Sequence, residues 1–212
     1  MKGFDMKNCI VLGAVAGLAS GALGQSASLS IVASQSVVDS TVTTSITLAV
    51  YGDADIGTHI SAAFFGLSAA GGAGVVDEMA LASVASWGVL GEEDFGHAGE
   101  GNYNGVGMGQ LVFWPAIPPD PASALGNGPV LLANFSVTIA VGSLGVIDWL
   151  LVGAPDYPLF VLETFTPHPA HEGDFHPFAN PDFGSVSVYV VPAPSGLGLL
   201  GLGGLVAGRR RR

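Results

Sequence analysis

The sequence predicts an all-β protein, a single antiparallel β-sandwich or jelly roll of about eight or nine strands. The chain contains 32 Gly and 13 Pro among 212 residues, a composition that favours many turns. Lys, Arg and Glu, which normally coat exposed helices, are scarce. Several segments alternate apolar with polar residues, which is typical of half-buried strands. A hydrophobic content of 49% is high enough for a folded core.

The strands are predicted in order along the chain. Residues 29–33 alternate weakly, whereas residues 42–50 alternate clearly and place Val42, Thr44, Ile46, Leu48 and Val50 on one face. Denser apolar runs at 60–67, 106–114, 146–152 and 159–165 predict central strands, and alternation returns at 135–141 and 186–190. Residues 77–87 are the one candidate short helix. The predicted breaks between strands are 71–74, 91–109, 115–129 and 167–181.

The basic residues lie only near the two ends of the sequence. They are Lys2, Lys7 and Arg209–Arg212, against 17 Asp and Glu, for a formal net charge of −11. Residues 25–195 contain 16 carboxylates and no Lys or Arg. This excludes nucleic-acid binding, which needs cationic side chains to displace counterions from phosphates. It also excludes catalysis by an arginine finger, a P-loop lysine or a Schiff-base lysine within the body.

The first 24 residues have the pattern of a secretory signal peptide, and they are predicted to form an N-terminal signal helix that precedes the sandwich. Lys2 and Lys7 precede an apolar run from Cys9 to Leu23 that ends in small residues, and cleavage is predicted before Gln25. The partners implied are the Sec translocon and signal peptidase. An uncleaved anchor helix is the alternative. Cys9 is the only cysteine, so the cleaved chain would carry no disulfide and no thiolate ligand.

The last 22 residues combine three parts. Val191, Pro192, Ala193, Pro194 and Ser195 form a short motif, residues 196–208 form an apolar stretch, and Arg209, Arg210, Arg211 and Arg212 follow. The arginines would stay on the cytoplasmic side, by the positive-inside rule. As a helix, 13 residues span roughly 20 Å, against a hydrocarbon core of about 30 Å. This suits a temporary anchor in the inner membrane, and a permanent tail anchor is the alternative.

This terminal arrangement resembles the PEP-CTERM sorting domain of bacterial exported proteins. The resemblance covers residues 191–212, with Pro192-Ala193-Pro194 in place of the family's Pro-Glu-Pro. It implies that an exosortase-type membrane transpeptidase recognises the tail and that the chain is its sorted cargo. The predicted organisation is therefore a signal peptide at 1–24, a β-sandwich domain at 25–190 and a sorting signal at 191–212.

The body between these ends resembles the cohesin and carbohydrate-binding-module type of sandwich. The resemblance lies in the order of the strands: an early alternating strand, an apolar strand, a long irregular middle, residues 128–140, and a final alternating strand. It implies a fold and leaves the function open.

Two groups of side chains are candidate metal ligands. His168, His171 and His176, with Glu172 and Asp174, supply imidazole and carboxylate donors for a divalent ion such as zinc. Asp53 and Asp55, predicted on a turn after a strand that ends at Tyr51, suit Ca²⁺. The alternatives are a solvated Pro-rich loop and a polar turn.

Two further groups are candidate ligand contacts. The acidic loop at 92–104 could join a calcium site. Six aromatic residues are candidates for stacking on sugar rings or, alternatively, for core packing; they are Trp87, Trp114, Trp149, Tyr51, Tyr103 and Tyr157.

The sequence contains no Gly-x-Ser-x-Gly elbow and no His-Glu-x-x-His motif, so no enzyme activity is predicted. The predicted function is that of an exported, acidic protein of the cell surface or extracellular matrix, with a structural or adhesive role. The alternative is a carbohydrate- or calcium-binding module, with polysaccharide as a partner and Ca²⁺ as the one cofactor considered.

Overall fold

The computed structural model describes residues 26–84, 92–109, 129–154, 161–168 and 170–192. The helices predicted for the signal peptide and for the C-terminal apolar stretch lie outside these residues. Within the described ranges, no helix is both long enough and apolar enough to cross a membrane.

The described residues form fourteen strands and confirm the all-β prediction. The first seven are β1 (Ala27–Ala33), β2 (Val37–Asp39), β3 (Thr44–Ala54), β4 (His59–Ala70), β5 (Val76–Val84), β6 (Glu92–Asp94) and β7 (His97–Gly99). The others are β8 (Asn102–Gly109), β9 (Val130–Ile139), β10 (Gly145–Gly153), β11 (Leu162–His168), β12 (His171–Phe178), β13 (Asp182–Phe183) and β14 (Ser185–Val191).

The strands form two sheets. One has five strands in the order β13-β1-β3-β9-β5. The other has nine strands, with β12-β11-β4-β10-β14-β2 in one path and β8 pairing with β4, β6 and β7. Buried side chains from both sheets pack into one core, so the architecture is a β-sandwich.

The first two strands of the described chain pair in parallel with the last two. β1 pairs with β13 in the five-stranded sheet, and β2 pairs with β14 in the nine-stranded sheet. Every other strand pair is antiparallel within the described residues. Both terminal segments therefore pass from one sheet to the other at the same side of the sandwich.

The predicted alternation is confirmed at three strands. In β3, Ile46, Leu48 and Val50 are buried while Ser45 and Thr47 are exposed. In β9, the apolar residues from Phe135 to Ile139 are buried at every second position, and in β14 the same holds for Val188 and Val190. These positions face the core because successive side chains of a strand point to opposite sides.

The candidate helix at 77–87 is wrong for the residues that the structure describes. Val76–Val84 is strand β5, an edge of the five-stranded sheet that pairs antiparallel with β9. Met79 is buried opposite Val137, and exposed residues flank it. Residues with a helical preference adopt a strand here because β9 offers a hydrogen-bonding edge and an apolar surface.

Two segments predicted as loops also contain strands. Residues 91–109 hold β6, β7 and β8, and residues 167–181 hold the whole of β12. Pro177 is tolerated in β12 because this strand lies at the edge of the sheet and pairs only with β11 among the described strands. The glycine and proline content led the sequence-based prediction to count too few strands.

Trp149 of β10 is fully buried at the centre of the core. Its indole Nε1 donates a hydrogen bond of 3.0 Å to the carbonyl oxygen of Gly101, in the turn between β7 and β8. Gly101 has φ +83°, a backbone conformation that glycine adopts without steric cost. The bond satisfies the one polar group of the largest buried side chain and fixes this turn to the core.

Candidate functional site

Two predicted calcium ligands, Asp53 and Asp55, lie at the end of the sandwich where β1 begins and β3 ends. Asp53 is not on a turn, as predicted, but within β3, because β3 continues to Ala54. It pairs with Ser28 of β1, and Ser28 also pairs with Asp182 of β13. Two carboxylate residues therefore flank one serine across three neighbouring strands.

Asp55 directly follows β3 and is held by the residue that precedes β1. The backbone N–H and the side-chain hydroxyl of Ser26 both donate hydrogen bonds to the Asp55 carboxylate. The hydroxyl bond, and after it the backbone bond, lowers the pKa of Asp55 below its ordinary value. Asp55 is thus an ionised acceptor at the rim of the group.

These residues line a polar cleft of about 380 Å³, which we call the aspartate cleft. Its lining consists of Ser26, Ala27, Ser28, Asp53, Ala54, Asp55, Ile56 and Asp182. Hydroxyl and carboxylate oxygens are suited to a hydrated cation or to the hydroxyls of a sugar. Across the described residues, however, no three His, Cys, Asp or Glu side chains converge closely enough to hold a metal ion directly.

The predicted histidine cluster lies on the β11–β12 hairpin. His168 ends β11 and pairs with His171, which begins β12. His176 pairs instead with Thr164, five residues further along β12, a separation of roughly 16 Å at the rise of a strand. The imidazole Nδ1 of His168 accepts a hydrogen bond from the backbone N–H of Ala170. The hairpin therefore brings two of the three positions together and keeps the third apart.

The acidic segment at 92–104 is tied into the sheet by its own side chains. Asp94 accepts hydrogen bonds from the Tyr103 hydroxyl, at 2.6 Å, and from the backbone N–H of Gly96. Burial, together with this bond, raises the pKa of Tyr103 above its ordinary value. Asn102 bonds the backbones of Ala69 and Gly99. These polar groups hold the turns of β6, β7 and β8.

The candidate sugar-stacking residues divide into two groups. Trp149 and Tyr103 are buried in the core, and the Tyr103 ring contacts Phe135 edge-on at 4.9 Å. Tyr51 is half-buried on the outer face of β3. Trp87, Trp114 and Tyr157 lie outside the described residues. Trp149 and Tyr103 therefore cannot stack on a sugar in the folded chain, because their rings are buried.

The predicted sorting motif begins where the sandwich ends. Val191 is the last residue of β14 and Pro192 is the last described residue before Ala193, Pro194 and Ser195. Arg209–Arg212 lie outside the described residues as well. The motif therefore follows directly on the final strand of the fold.

One buried polar group was missed by the sequence analysis. Glu163 of β11 is mostly buried and accepts a hydrogen bond of 2.9 Å from the hydroxyl of Ser61 in β4. Burial raises the pKa of Glu163 to about 7, although the Ser61 bond acts in the opposite direction. Nearby on the same two strands, the Nδ1 atom of His59 is buried without a hydrogen-bond partner, and its ring stacks on Phe165 at 5.4 Å. The available signal was a lone carboxylate within the apolar run 159–165.

No protein-family model matches the sequence, and no curated protein matches it. Several solved structures with a similar arrangement of strands are cohesin domains. A type I cohesin from Pseudobacteroides cellulosolvens is 12% identical, with 81% of this chain and 95% of that chain covered and a TM-score of 0.41. A type II cohesin from Acetivibrio cellulolyticus is 9% identical, with 77% and 95% covered and a TM-score of 0.45. A non-cellulosomal cohesin from Archaeoglobus fulgidus is 13% identical, with 81% and 96% covered and a TM-score of 0.36. The assignment of the fold rests on the strand pairing itself, because each of these TM-scores lies below 0.5.

Proposed function

We propose that the protein is an exported structural or adhesive module, a β-sandwich delivered by a cleavable signal peptide and sorted through its C-terminal segment. The Sec translocon and signal peptidase would process residues 1–24, and an exosortase-type transpeptidase would act near Pro194. The module would work at the cell surface or in an extracellular polysaccharide matrix. We assign it no catalytic residue.

The observation that carries this proposal is the position of the core relative to the two proposed sorting segments. The buried hydrophobic residues of the described chain begin at Ala27 and end at Val190. β1 and β2 pair with β13 and β14, so the first and last strands complete the two sheets. If the residues before and after 27–191 are removed, the core contacts among the described residues stay in place, because both partners of each contact remain.

The charge distribution gives the same division. All six basic residues lie outside residues 26–192, and the described body carries only acidic charge. Basic residues that flank apolar segments orient those segments in a membrane, while an anionic surface keeps an exported module soluble.

Intact-mass measurement of the protein purified from its native envelope tests the proposal. We expect a mass that lacks residues 1–24 and lacks the chain beyond the region of Pro194. A mature protein that retains Arg209–Arg212 would contradict processing of the tail. Retention of residues 1–24 would contradict cleavage by signal peptidase. Deletion of Arg209–Arg212 should leave the precursor unprocessed at its C-terminal end if the basic cluster is needed for sorting.

A second candidate function is ligand binding in the aspartate cleft. The observation in its favour is the alignment of Asp53, Ser28 and Asp182 across three strands, with Asp55 at the rim. The three carboxylates line the cleft without a basic residue beside them, and their oxygens suit a hydrated Ca²⁺ or the hydroxyls of a sugar. The histidines of the β11–β12 hairpin are a weaker proposal for a divalent ion, because His176 lies apart from His168 and His171.

Thermal unfolding with and without millimolar CaCl₂ tests the cleft. Calcium binding to the folded state would raise the melting temperature, and the variant Asp53→Asn should abolish that rise. Glu78→Asn, a change at an exposed carboxylate on β5, is the matched control and should preserve it. An unchanged melting temperature in the parent protein would exclude calcium as the ligand of the cleft. Titration with an oligosaccharide of the native matrix would then test whether the cleft binds a sugar.

A further inference from the structure

One end of the sandwich carries a group of exposed apolar side chains, which we call the apolar end. It consists of Val42, Val141, Leu144 and Val191, with exposed fractions of 63%, 63%, 70% and 40%. Val42 lies between β2 and β3, Val141 and Leu144 lie between β9 and β10, and Val191 ends β14. Exposed apolar residues that cluster in this way mark a contact surface more often than isolated ones do.

Backbone hydrogen bonds join the three segments of the apolar end. The N–H of Ser40 donates to the carbonyl oxygen of Val191 at 3.1 Å, and the N–H of Gly142 donates to the carbonyl oxygen of Ser40 at 2.7 Å. The Ser40 hydroxyl, which is fully buried, donates to the carbonyl oxygen of Ser143 at 2.6 Å. The segments that carry the apolar side chains are therefore held together by hydrogen bonds and form one continuous surface.

The apolar surface continues from this end onto the outer face of the nine-stranded sheet. Val37, Tyr189 and Val146 pair across β2, β14 and β10, and all three are exposed. Tyrosine in such a position offers an apolar ring and a polar hydroxyl, the combination enriched where a protein meets the lipid–water boundary.

Few charged residues lie within the segments that form the apolar end. Asp39 is the only one in residues 37–46, 137–147 and 187–192. Its carboxylate accepts hydrogen bonds from the backbone N–H and the hydroxyl of Thr41. The neighbouring strands add carboxylates at the border of the apolar end: Glu78 of β5 pairs with Thr138, and Asp148 of β10 pairs with Ser187. Asp53, Asp55 and Asp182 lie at the opposite end, because β3 runs the length of the sheet from Thr44 to Ala54. The two ends thus differ in chemistry as well as in position.

The length of the chain beyond Val191 says what covers this surface. The 13 residues of the apolar stretch, 196–208, reach roughly 20 Å as a helix, which is less than the hydrocarbon thickness of a bilayer, about 30 Å. Backbone inside lipid must be helical to satisfy its hydrogen bonds. If Arg209 lies on the far side of so short a segment, only residues 192–195 separate Val191 from the near surface of the bilayer, which keeps the folded body close to the membrane.

We propose that the apolar end is the surface on which the folded body rests against a lipid bilayer while the C-terminal segment is inserted. Its occupant is the bilayer, and the row of Val37, Tyr189 and Val146 continues the contact. The inference rests on the proposed membrane insertion of residues 196–208. It adds an orientation: the aspartate cleft points away from the membrane, where a soluble ligand can reach it.

Single-cysteine labels on the full chain test this orientation. The chain carries Cys9→Ser, is expressed with its own signal segment in a bacterium that lacks an exosortase, and is purified from membranes. Val42→Cys probes the apolar end and Leu202→Cys probes the inserted segment. Ile56→Cys is the matched control, since Ile56 is 92% exposed and lies at the opposite end. Each label is an environment-sensitive fluorophore in phosphatidylcholine vesicles that contain acyl-brominated lipid.

We expect bromine quenching of the label at position 42 to be several-fold stronger than at position 56, together with strong quenching at position 202. The double variant Val141→Asp, Leu144→Asp changes only exposed side chains and should abolish quenching at position 42 while leaving position 202 quenched. Retained circular dichroism would show that this variant is folded.

Three outcomes would overturn the inference, and they differ in whether they also contradict the proposed membrane insertion. Quenching at 202 with none at 42, or with equal quenching at 42 and 56, removes the orientation but leaves the membrane anchor. Cross-linking of two chains through position 42 without quenching assigns the apolar end to a second copy of the chain. Absence of quenching at 202 removes membrane insertion itself, and the orientation with it.

Discussion

The same pair of groups, a serine hydroxyl and a carboxylate, occurs in two regions of this molecule with opposite consequences. At the aspartate cleft, Ser26 bonds to Asp55 in the open, and the pKa of Asp55 is lowered. Between β4 and β11, Ser61 bonds to Glu163 inside the fold, and the pKa of Glu163 is raised to about 7.

The difference shows that access of water, and not the hydrogen bond, sets the sign. A hydrogen bond donated to a carboxylate favours its ionised form in both places. At the cleft, solvent keeps the charge hydrated, so the bonds from Ser26 dominate. Between β4 and β11, the free-energy cost of desolvating the ionised Glu163 carboxylate exceeds the stabilisation that the single hydrogen bond from Ser61 gives it. Asp55 is therefore a stable negative charge at the rim of the cleft, whereas Glu163 changes its charge near neutral pH.

The largest effect is expected from Glu163→Gln, measured as the free energy of unfolding in urea between pH 4 and pH 8. Because the folded pKa of Glu163 lies above its ordinary value of 4.5, the folded state keeps the proton longer than the unfolded chain does. Stability should therefore fall as pH rises from 4.5 to 7, by up to about 3 kcal/mol. Glutamine stays neutral and still accepts the Ser61 bond, so the variant should be more stable at pH 8 and similar at pH 4.

The histidines are the same in both proteins, so the difference between the two pH profiles isolates Glu163. Glu78→Gln, at an exposed carboxylate of β5, is the control and should follow the parent profile. Parallel profiles for the parent and Glu163→Gln would contradict burial of the charge between β4 and β11.

A smaller effect is expected from Ser61→Ala. Ser61 is fully buried, and its loss leaves the Glu163 carboxyl without this donor, at a cost of about 1–2 kcal/mol at pH 7. Because the Ser61 bond lowers the pKa of Glu163, the fall of stability with pH should also extend to a higher pH in this variant. Ser68→Ala, at an exposed position of the same strand, should change neither quantity; a pH profile of Ser61→Ala that matches the parent would count against the pairing.

The smallest effect is expected at the cleft, from Ser26→Ala. The pKa of Asp55, followed by NMR of its carboxyl carbon, should rise towards its ordinary value but remain below it, because the backbone N–H of Ser26 still donates. Asp55 stabilises the fold above its unfolded pKa, and this contribution is lost as pH falls through the lowered folded pKa. Ser30→Ala, also on β1 and exposed, should leave the titration of Asp55 in place. A titration unaffected by Ser26→Ala would contradict the contact.

Local patterns predicted the parts of the fold in which one face is buried and the other is wet. Residues 46–50 and 188–190 have the period of a strand in the sequence and the burial of a strand in the structure. Residues 77–84 and 171–178 do not have that period, because both are edge strands with few buried side chains and gain their pairing from β9 and β11. The residues of these two segments contain no local pattern that indicates pairing with β9 or with β11.

The candidate site was predicted only where its residues are neighbours in sequence. Asp53 and Asp55 were found, but Asp182 joins them through the parallel pairing of β1 with β13, across about three quarters of the chain. The histidines at 168–176 look like a cluster in sequence, yet a strand between them carries His176 away. Along an extended strand, each further residue adds about 3.3 Å to the distance between two positions.

The sequence by itself determined the all-β class and the acidic body without Lys or Arg, and it predicts sorting segments at its two ends. These follow from composition and from local order, which need no contact between distant residues. Tertiary structure alone decided that the first two strands pair in parallel with the last two, that Glu163 is withdrawn from water, and that an apolar end lies opposite an acidic cleft. Each depends on which distant segments pair and on what that pairing buries, because desolvation and proximity are properties of the packed chain.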